Sequence, residues 1–376
     1  MTPNSNRRTF LEQVAGASAL LALTPRAFAE PSPLEASSGT LVDRAVAFLR
    51  PRQEADGSWS PNRKEPGITA LVVTALLRSK RVTPGEPVVT KALAYLEGFV
   101  DPNGGLAGAA HANYSTAIAL MAFREANVGG RYDAMIKGSQ SFLTSKQWDE
   151  AEGKNRDNAF YGGAGYGGNN SRPDLSNTAF MVEALRESGL PADDPALQKA
   201  LVFVSRCQNL KSEFNDQPYA AKVNDGGFIY TAANGGSSFA GTEEGGGLRS
   251  YASMTYAGLK SLIYAGLTPD DPRVKAATEY IGKHYTLDEN PGLGQKGLFY
   301  YYQAFAKTMA LLGKPTFIDA KSQDHDWRAE LTAALAKRQE PSGSWINRAD
   351  NYMEGDANLV TSYGLLALAY AASAKI

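Results

Sequence analysis

From residue 41 onward, two kinds of apolar pattern alternate along the chain. The first is amphipathic: Arg44-Ala-Val-Ala-Phe-Leu49, Lys91-Ala-Leu-Ala-Tyr-Leu96, Gly138-Ser-Gln-Ser-Phe-Leu143, Lys199-Ala-Leu-Val-Phe-Val204, Lys275-Ala-Ala-Thr-Glu-Tyr280 and Glu330-Leu-Thr-Ala-Ala-Leu335. The second is apolar on nearly every side: Thr69-Ala-Leu-Val-Val-Thr-Ala-Leu76, Thr116-Ala-Ile-Ala-Leu-Met-Ala-Phe123, Thr178-Ala-Phe-Met-Val-Glu-Ala-Leu185, Thr255-Tyr-Ala-Gly-Leu-Lys-Ser-Leu262, Tyr302-Gln-Ala-Phe-Ala-Lys-Thr-Met309 and Thr361-Ser-Tyr-Gly-Leu-Leu-Ala-Leu368. The repetition predicts an all-α fold of about six helix pairs. A helix that is apolar all round must be buried on both faces, whereas its amphipathic partner needs only one face covered. Two concentric rings with the apolar helices inside meet both demands. An open stack would need polar end repeats, and the last unit is as apolar as the middle ones, so closure is predicted.

The connections repeat as well. Gly189-Leu-Pro-Ala-Asp-Asp-Pro195 and Gly266-Leu-Thr-Pro-Asp-Asp-Pro272 pair a helix-stopping glycine with a proline-restricted turn, and Val82-Thr-Pro-Gly-Glu-Pro87 is a looser copy. An aspartate before a proline at a helix start is expected to cap the helix rather than to do chemistry. The 376 residues carry a net charge of −1 and are 43% hydrophobic, enough for a large core and without the basic excess that nucleic acid requires. Cys207 is the single cysteine, which excludes an intramolecular disulfide and a thiolate zinc cluster.

Residues 1–29 have the layout of a twin-arginine signal peptide: Asn6-Arg7-Arg8-Thr9-Phe10-Leu11, a short apolar run from Val14 to Leu23, and the small-residue cleavage site Ala27-Phe28-Ala29. The run is too short for a stable span, so no permanent membrane anchor is expected after processing. Residues 30–40 are a linker and 41–376 the repeat domain. Tat export to the periplasm, or beyond the cell, is the predicted address.

The outer-type helices end in Gln53-Glu-Ala-Asp-Gly57-Ser-Trp59 and Gln339-Glu-Pro-Ser-Gly343-Ser-Trp345, with Gln147 and Gln208 at the same offset in two further units. These resemble the Gln-Trp repeats of the terpene cyclase and protein prenyltransferase superfamily. The resemblance covers residue 41 to the C-terminus and implies an (α/α)6 toroid whose inner ring surrounds a cavity. Physically, a glutamine satisfies backbone groups orphaned at helix ends, glycine permits the turn and tryptophan covers it, so these residues are structural. The catalytic signatures are absent. The Asp-Xaa-Asp-Asp motif of protonation-initiated cyclases would need acids where Pro191 and Thr268 stand, and the Asp-rich magnesium motif has no counterpart. Zinc, which the prenyltransferases hold with Asp, Cys and His, is not expected, because Cys207 lies at the end of an outer-type helix. No cofactor is expected either.

In such a toroid the inner helices' N-termini converge on one mouth, which ranks the loops before them as ligand sites. The threonines that open five of six inner helices recur too often for catalysis and suggest a shared helix-end role. The unrepeated candidates are His111, an acid or base near neutrality; Asp174 and Asn177; the carboxylate pair Glu243-Glu244 in a glycine-rich loop, where one acid could raise the other's pKa; Tyr251; and Asp356. The run Phe299-Tyr300-Tyr301-Tyr302 spans a helical turn, so one ring should face the cavity, and three successive phenols are costly to bury without partners. Asp174, Glu244 and His111 are the catalytic candidates. Tyr251, Tyr300, Tyr301, Tyr302, Asn177 and Asp356 are the ligand-binding ones. The glycine-rich stretch Tyr161–Asn170 follows no strand and is a loop near the mouth rather than a phosphate cradle.

The resemblance implies an apolar small molecule or lipid, an isoprenoid above all, as the ligand that the cavity binds or transforms. A carbohydrate-active enzyme and a noncatalytic protein-interaction domain are the alternatives from other classes, since helix-pair toroids also host lyases and glycosidases.

Overall fold

The computed structural model describes residues 33–60, 66–106, 111–167 and 172–373, with the side chains of 33–37 excepted. The expected leader lies outside these residues. Among them are twelve long helices and a short one: α1 (Pro33–Leu49), α2 (Pro66–Arg78), α3 (Pro87–Glu97), α4 (Ala112–Glu125), α5 (Asp133–Ser145), α6 (Leu175–Glu187), α7 (Pro195–Arg206), the short α8 (Ala220–Val223), α9 (Ala252–Tyr264), α10 (Pro272–Lys283), α11 (Leu298–Leu312), α12 (Trp327–Arg338) and α13 (Ala357–Ala372). A small antiparallel hairpin, β1 (Phe317–Ile318) with β2 (Asp324–His325), pairs Phe317 with His325 and projects between α11 and α12.

The six apolar helices form a closed inner ring. Packing runs α2, α4, α6, α9, α11, α13 and back to α2, so the first and last repeats meet. The amphipathic helices lie outside, each against one or two inner helices, with α1 resting on α12 and α13 across the closure. This is the all-α toroid that the pattern predicts. No helix among the described residues is long and apolar enough to cross a membrane.

The repeated residues explain the regularity. The Gln53 amide donates to the Gly57 and Val88 carbonyls at 3.0 and 2.8 Å, tying the end of one outer helix to the start of the next. Gln147 does the same to Gly162 and Ala196, Gln208 to Gly226 and Arg273, and Gln339 to Gly343 and Leu41. The Gln339 link joins α12 to α1 and completes the outer ring. Gly162 shows why glycine is needed: its φ is +83°, and a Cβ there would lie 1.8 Å from the Lys199 carbonyl oxygen. The threonines share one role. Thr69, Thr116, Thr178, Thr255 and Thr361 each accept the N–H of the residue that closes the preceding turn, at 2.9–3.1 Å. Asp194 and Asp271 cap α7 and α10, as the Asp-Pro spacing predicts.

At the C-terminal end of the inner ring, every inner helix contributes to a buried polar cluster. Arg78 of α2 meets Glu125 of α4 at 3.0 Å and Glu187 of α6 at 2.5 Å. Lys260 of α9 pairs with Glu183 at 2.5 Å, Lys307 of α11 with Glu187, and the Tyr370 hydroxyl of α13 reaches Glu183. Burial alone would raise the Glu187 carboxyl, but Arg78 and Lys307 hold it well below the usual carboxylate range. Three cations and three carboxylates thus plug this end of the ring. An opening remains at the other.

Candidate functional site

A cavity of about 500 Å³ occupies the N-terminal end of the inner ring. All six inner helices contribute from their first two turns: Gly67 and Ile68 from α2, Tyr114 from α4, Ser176 and Phe180 from α6, Ser253 and Met254 from α9, Tyr300 from α11, Leu359 and Tyr363 from α13. The predicted convergence on one mouth is therefore present. Around the opening stand Tyr166, Phe239, Tyr352 and Met353, each more than a third exposed. The described lining holds seven tyrosines, two phenylalanines and no Asp, Glu, Lys or Arg. Rings meet edge-on along the wall, Tyr114 against Phe180 at 5.3 Å and Tyr300 against Tyr363 at 6.0 Å. Such a surface suits an apolar ligand, and its ring faces suit a passing positive charge.

Asp174 lies just behind this wall as the N-cap of α6. It is 2% exposed; one carboxylate oxygen accepts the Asn177 N–H at 2.9 Å and the other the Asn177 side-chain amide at 2.7 Å. The Tyr230 ring lines the cavity and its hydroxyl is among the groups that influence this carboxylate. The segment carrying Tyr230 is stitched to the start of α6, with Leu175 N–H on the Tyr230 carbonyl at 2.8 Å and the Thr231 hydroxyl on the Pro173 carbonyl at 2.7 Å. Burial pushes the Asp174 carboxyl up to about 6 against the pull of these bonds.

A second buried acid holds the opposite wall. Gly297 opens α11 without a capping side chain, and Glu354, 54 residues beyond Tyr300, supplies the cap. Its carboxylate accepts the Tyr300 N–H at 2.8 Å and takes the Asn347 amide at 2.6 Å. Burial still prevails and raises it to about 7. Just before it, Tyr352 and Met353 take left-handed conformations at φ +58° and +64°, which turns both side chains to the mouth.

The sequence candidates divide. His111, Tyr251 and Tyr300 line the cavity, the His111 ring meeting that of Tyr166 edge-on with their centres 5.0 Å apart. Asp174 and Asn177 are buried behind it. Glu244 is not brought in: residues 241–246 form an exposed turn outside the lining, so its carboxylate is solvated. Asp356 caps α13 through the Asn358 and Leu359 N–H groups and does not line the cavity. Tyr301 and Tyr302 face outward, donating to the Thr286 and Leu287 carbonyls at 2.6 and 2.5 Å. Helical phase leaves only Tyr300 of the run toward the cavity, where its hydroxyl meets Ser176 at 3.2 Å. Cys207 is buried at the end of α7, and burial pushes its thiol up. The sequence reading missed Tyr230, Phe239, Tyr352 and Glu354. The aromatic content of the unrepeated stretches after Gln208 and Gln339 was the available signal.

Asp174-Leu-Ser-Asn177 begins with an acid, as the Asp-Xaa-Asp-Asp motif does, but has Ser176 and Asn177 where that motif has its other acids. A serine hydroxyl is no acid for protonating a carbon double bond.

No family model matches the chain. A drimenyl diphosphate synthase from Streptomyces showdoensis is 40% identical over 72 residues, which is 18% of this chain and 13% of that protein. Among solved structures, the apo type II terpene cyclase MstE from Scytonema superposes with a TM-score of 0.55 at 14% identity, covering 90% of this chain and 99% of that one. A protein from Actinoplanes does so at 0.54 and 17% identity, covering 89% and 100%. A variant of the Scytonema enzyme holding its substrate, geranylgeranyl dihydroxybenzoate, gives 0.53 at 15% identity over 90% and 98%. The chain has the fold of the type II terpene cyclases.

Proposed function

We propose that this protein is a terpene cyclase-like toroid that takes a neutral isoprenoid, or another apolar chain of that size, into its central cavity. The observation that carries the reading is the cavity of about 500 Å³, walled by aromatic rings and free of charged side chains among its described lining. A volume of that order can bury most of a drug-sized apolar molecule. The Scytonema neighbour of the same fold has been captured with a geranylgeranyl-bearing substrate and with merosterolic acid A as product, which supports the same ligand class here. A glycan site would present carboxylates to its ligand, and the described lining has none.

Native mass spectrometry of the detergent-free protein, with organic extraction of any companion and titration with geranylgeraniol, tests the reading. Stoichiometric binding, lost when Phe180→Trp fills the cavity of a still-folded protein, is the expected result. Absence of binding, or binding that survives this substitution, would sink it. The expected export is part of the proposal: Arg7→Lys with Arg8→Lys should leave the precursor inside the cell in a fractionation experiment.

A further inference from the structure

The inner helices share a register that divides the axis of the toroid into layers. On four of them the spacing is the same: Ser176-Phe180-Glu183, Ser253-Ala257-Lys260, Tyr300-Ala304-Lys307 and Tyr363-Ala367-Tyr370. Steps of four and three keep each trio on one helix face. The first member of every trio lines the cavity, and the last belongs to the charged cluster at the far end. The middle members form the layer between the two. Alanine holds that position on α9, α11 and α13, which are consecutive in the ring, and Leu71 and Ile118 keep the same register on α2 and α4. Phe180 is the one aromatic ring among these six positions, and it closes the space that the alanines leave. It is 3% exposed and reaches Tyr114 and Tyr300, at 5.3 and 6.1 Å between ring centres. The ring lines the cavity; behind it the Lys260 ammonium stands 5.7 Å from the ring centre and pairs with Glu183 at 2.5 Å. Hydrogen-bonding groups lie one layer higher, toward the mouth. The Ser176 and Tyr300 hydroxyls meet at 3.2 Å, and two hydroxyls that share one hydrogen bond keep a second proton for a ligand oxygen.

We propose that Phe180 is the specificity-determining residue of the cavity and that it selects a ligand polar at one end only. The bare hydrocarbon end lies against the Phe180 ring, and the polar end stays beside Ser176 and Tyr300. The proposal rests on the reading of the cavity as an isoprenoid site and adds the polarity and orientation of the molecule. A hydroxyl at the far end would lose its water against an aromatic ring and gain no partner, because Lys260 and Glu183 are held on the other side of that ring.

The test uses two probes with the full-length protein: geranylgeraniol, and its counterpart with a second hydroxyl on the far terminal methyl group. The diol cannot avoid the penalty by entering the other way round. The wild type should bind it about 10- to 100-fold more weakly, the range in which an apolar pocket rejects an added hydroxyl. Phe180→Leu keeps an apolar floor and should keep this discrimination. Phe180→Ala opens the floor to Lys260 and Glu183 and should bring the two affinities within about threefold, since the far hydroxyl then has partners. Fluorine NMR of geranylgeraniol carrying a trifluoromethyl group at the far end reads the orientation independently. Its bound resonance should move in Phe180→Leu, which removes a ring from beside it, and keep its place in Tyr352→Leu at the mouth. Equal binding of the two probes by the wild type, or a resonance unmoved in Phe180→Leu, would overturn the assignment of Phe180 alone. Failure of geranylgeraniol to bind would overturn the reading of the cavity, and this assignment with it.

Discussion

Glu354 shows how one side chain can set a wall of the site and a pH dependence together. It caps α11 from a distant loop, so the same carboxylate that fixes Tyr300 also anchors the turn carrying Tyr352 and Met353. Its native pKa of about 7 lies above the ordinary value of 4.5, so between those limits the folded protein holds a proton that the unfolded chain has released. Stability must therefore fall as pH rises through that window, by about 3 kcal/mol from this group at order-of-magnitude precision. Asp174 adds in the same direction up to about pH 6. Glu354→Gln is a permanent mimic of the protonated form. In urea unfolding at pH 5 and pH 8 the variant should lose less stability across the interval than the wild type. Identical losses would mean that Glu354 ionises as an ordinary exposed acid does.

The helix pairs and their order were legible in the sequence because burial on one side or two leaves different apolar patterns, and because each unit repeats the same end-of-helix contacts. Gln, Gly and Thr at fixed offsets could be assigned to structure from chemistry alone, and their hydrogen bonds follow that assignment. The site was legible only where it coincides with a helix start, as at His111, Asp174 and Tyr251. Tyr230 and Tyr352 come from unrepeated segments that fold back over the mouth, and no local period records where such a segment lands. Tyr300, Tyr301 and Tyr302 are all candidates in the sequence because a run of phenols does not fix the helical phase; of the three, Tyr300 takes the cavity position. Among the repeated contacts, Gln339 has a special place, since it links α12 to α1 at opposite ends of the sequence. Gln339→Ala leaves buried carbonyls short of a donor and should cost about 1–3 kcal/mol. Hydrogen exchange should show α1 and α12 losing protection together. Faster exchange confined to the mutated turn would mean that the outer ring does not depend on this stitch.

The toroid keeps its two ends chemically distinct, with aromatic rings around a cavity at one and paired charges at the other. The difference follows from closure, because six helices whose apolar faces point inward leave an axial space that must be filled or used. At the far end, long charged side chains fill it: Lys307 is 1% and Glu183 0% exposed, and each finds an opposite charge from a different helix. Such a cluster adds little net stability over an apolar plug, but removing one of its cations leaves the three carboxylates with an uncompensated negative charge at a buried site. Lys307→Met should therefore cost about 3–5 kcal/mol by chemical denaturation. Arg81→Ala, which removes the exposed pair with Asp43, should cost less than about 1 kcal/mol. Geranylgeraniol binding should survive Lys307→Met under conditions where the variant is folded, because Lys307 does not line the cavity. A loss no larger than that of the surface variant would show that water reaches Glu187 and that the far end is permeable. The cavity would then be a channel with two entrances, and a reactive cation held there would be open to water from both sides.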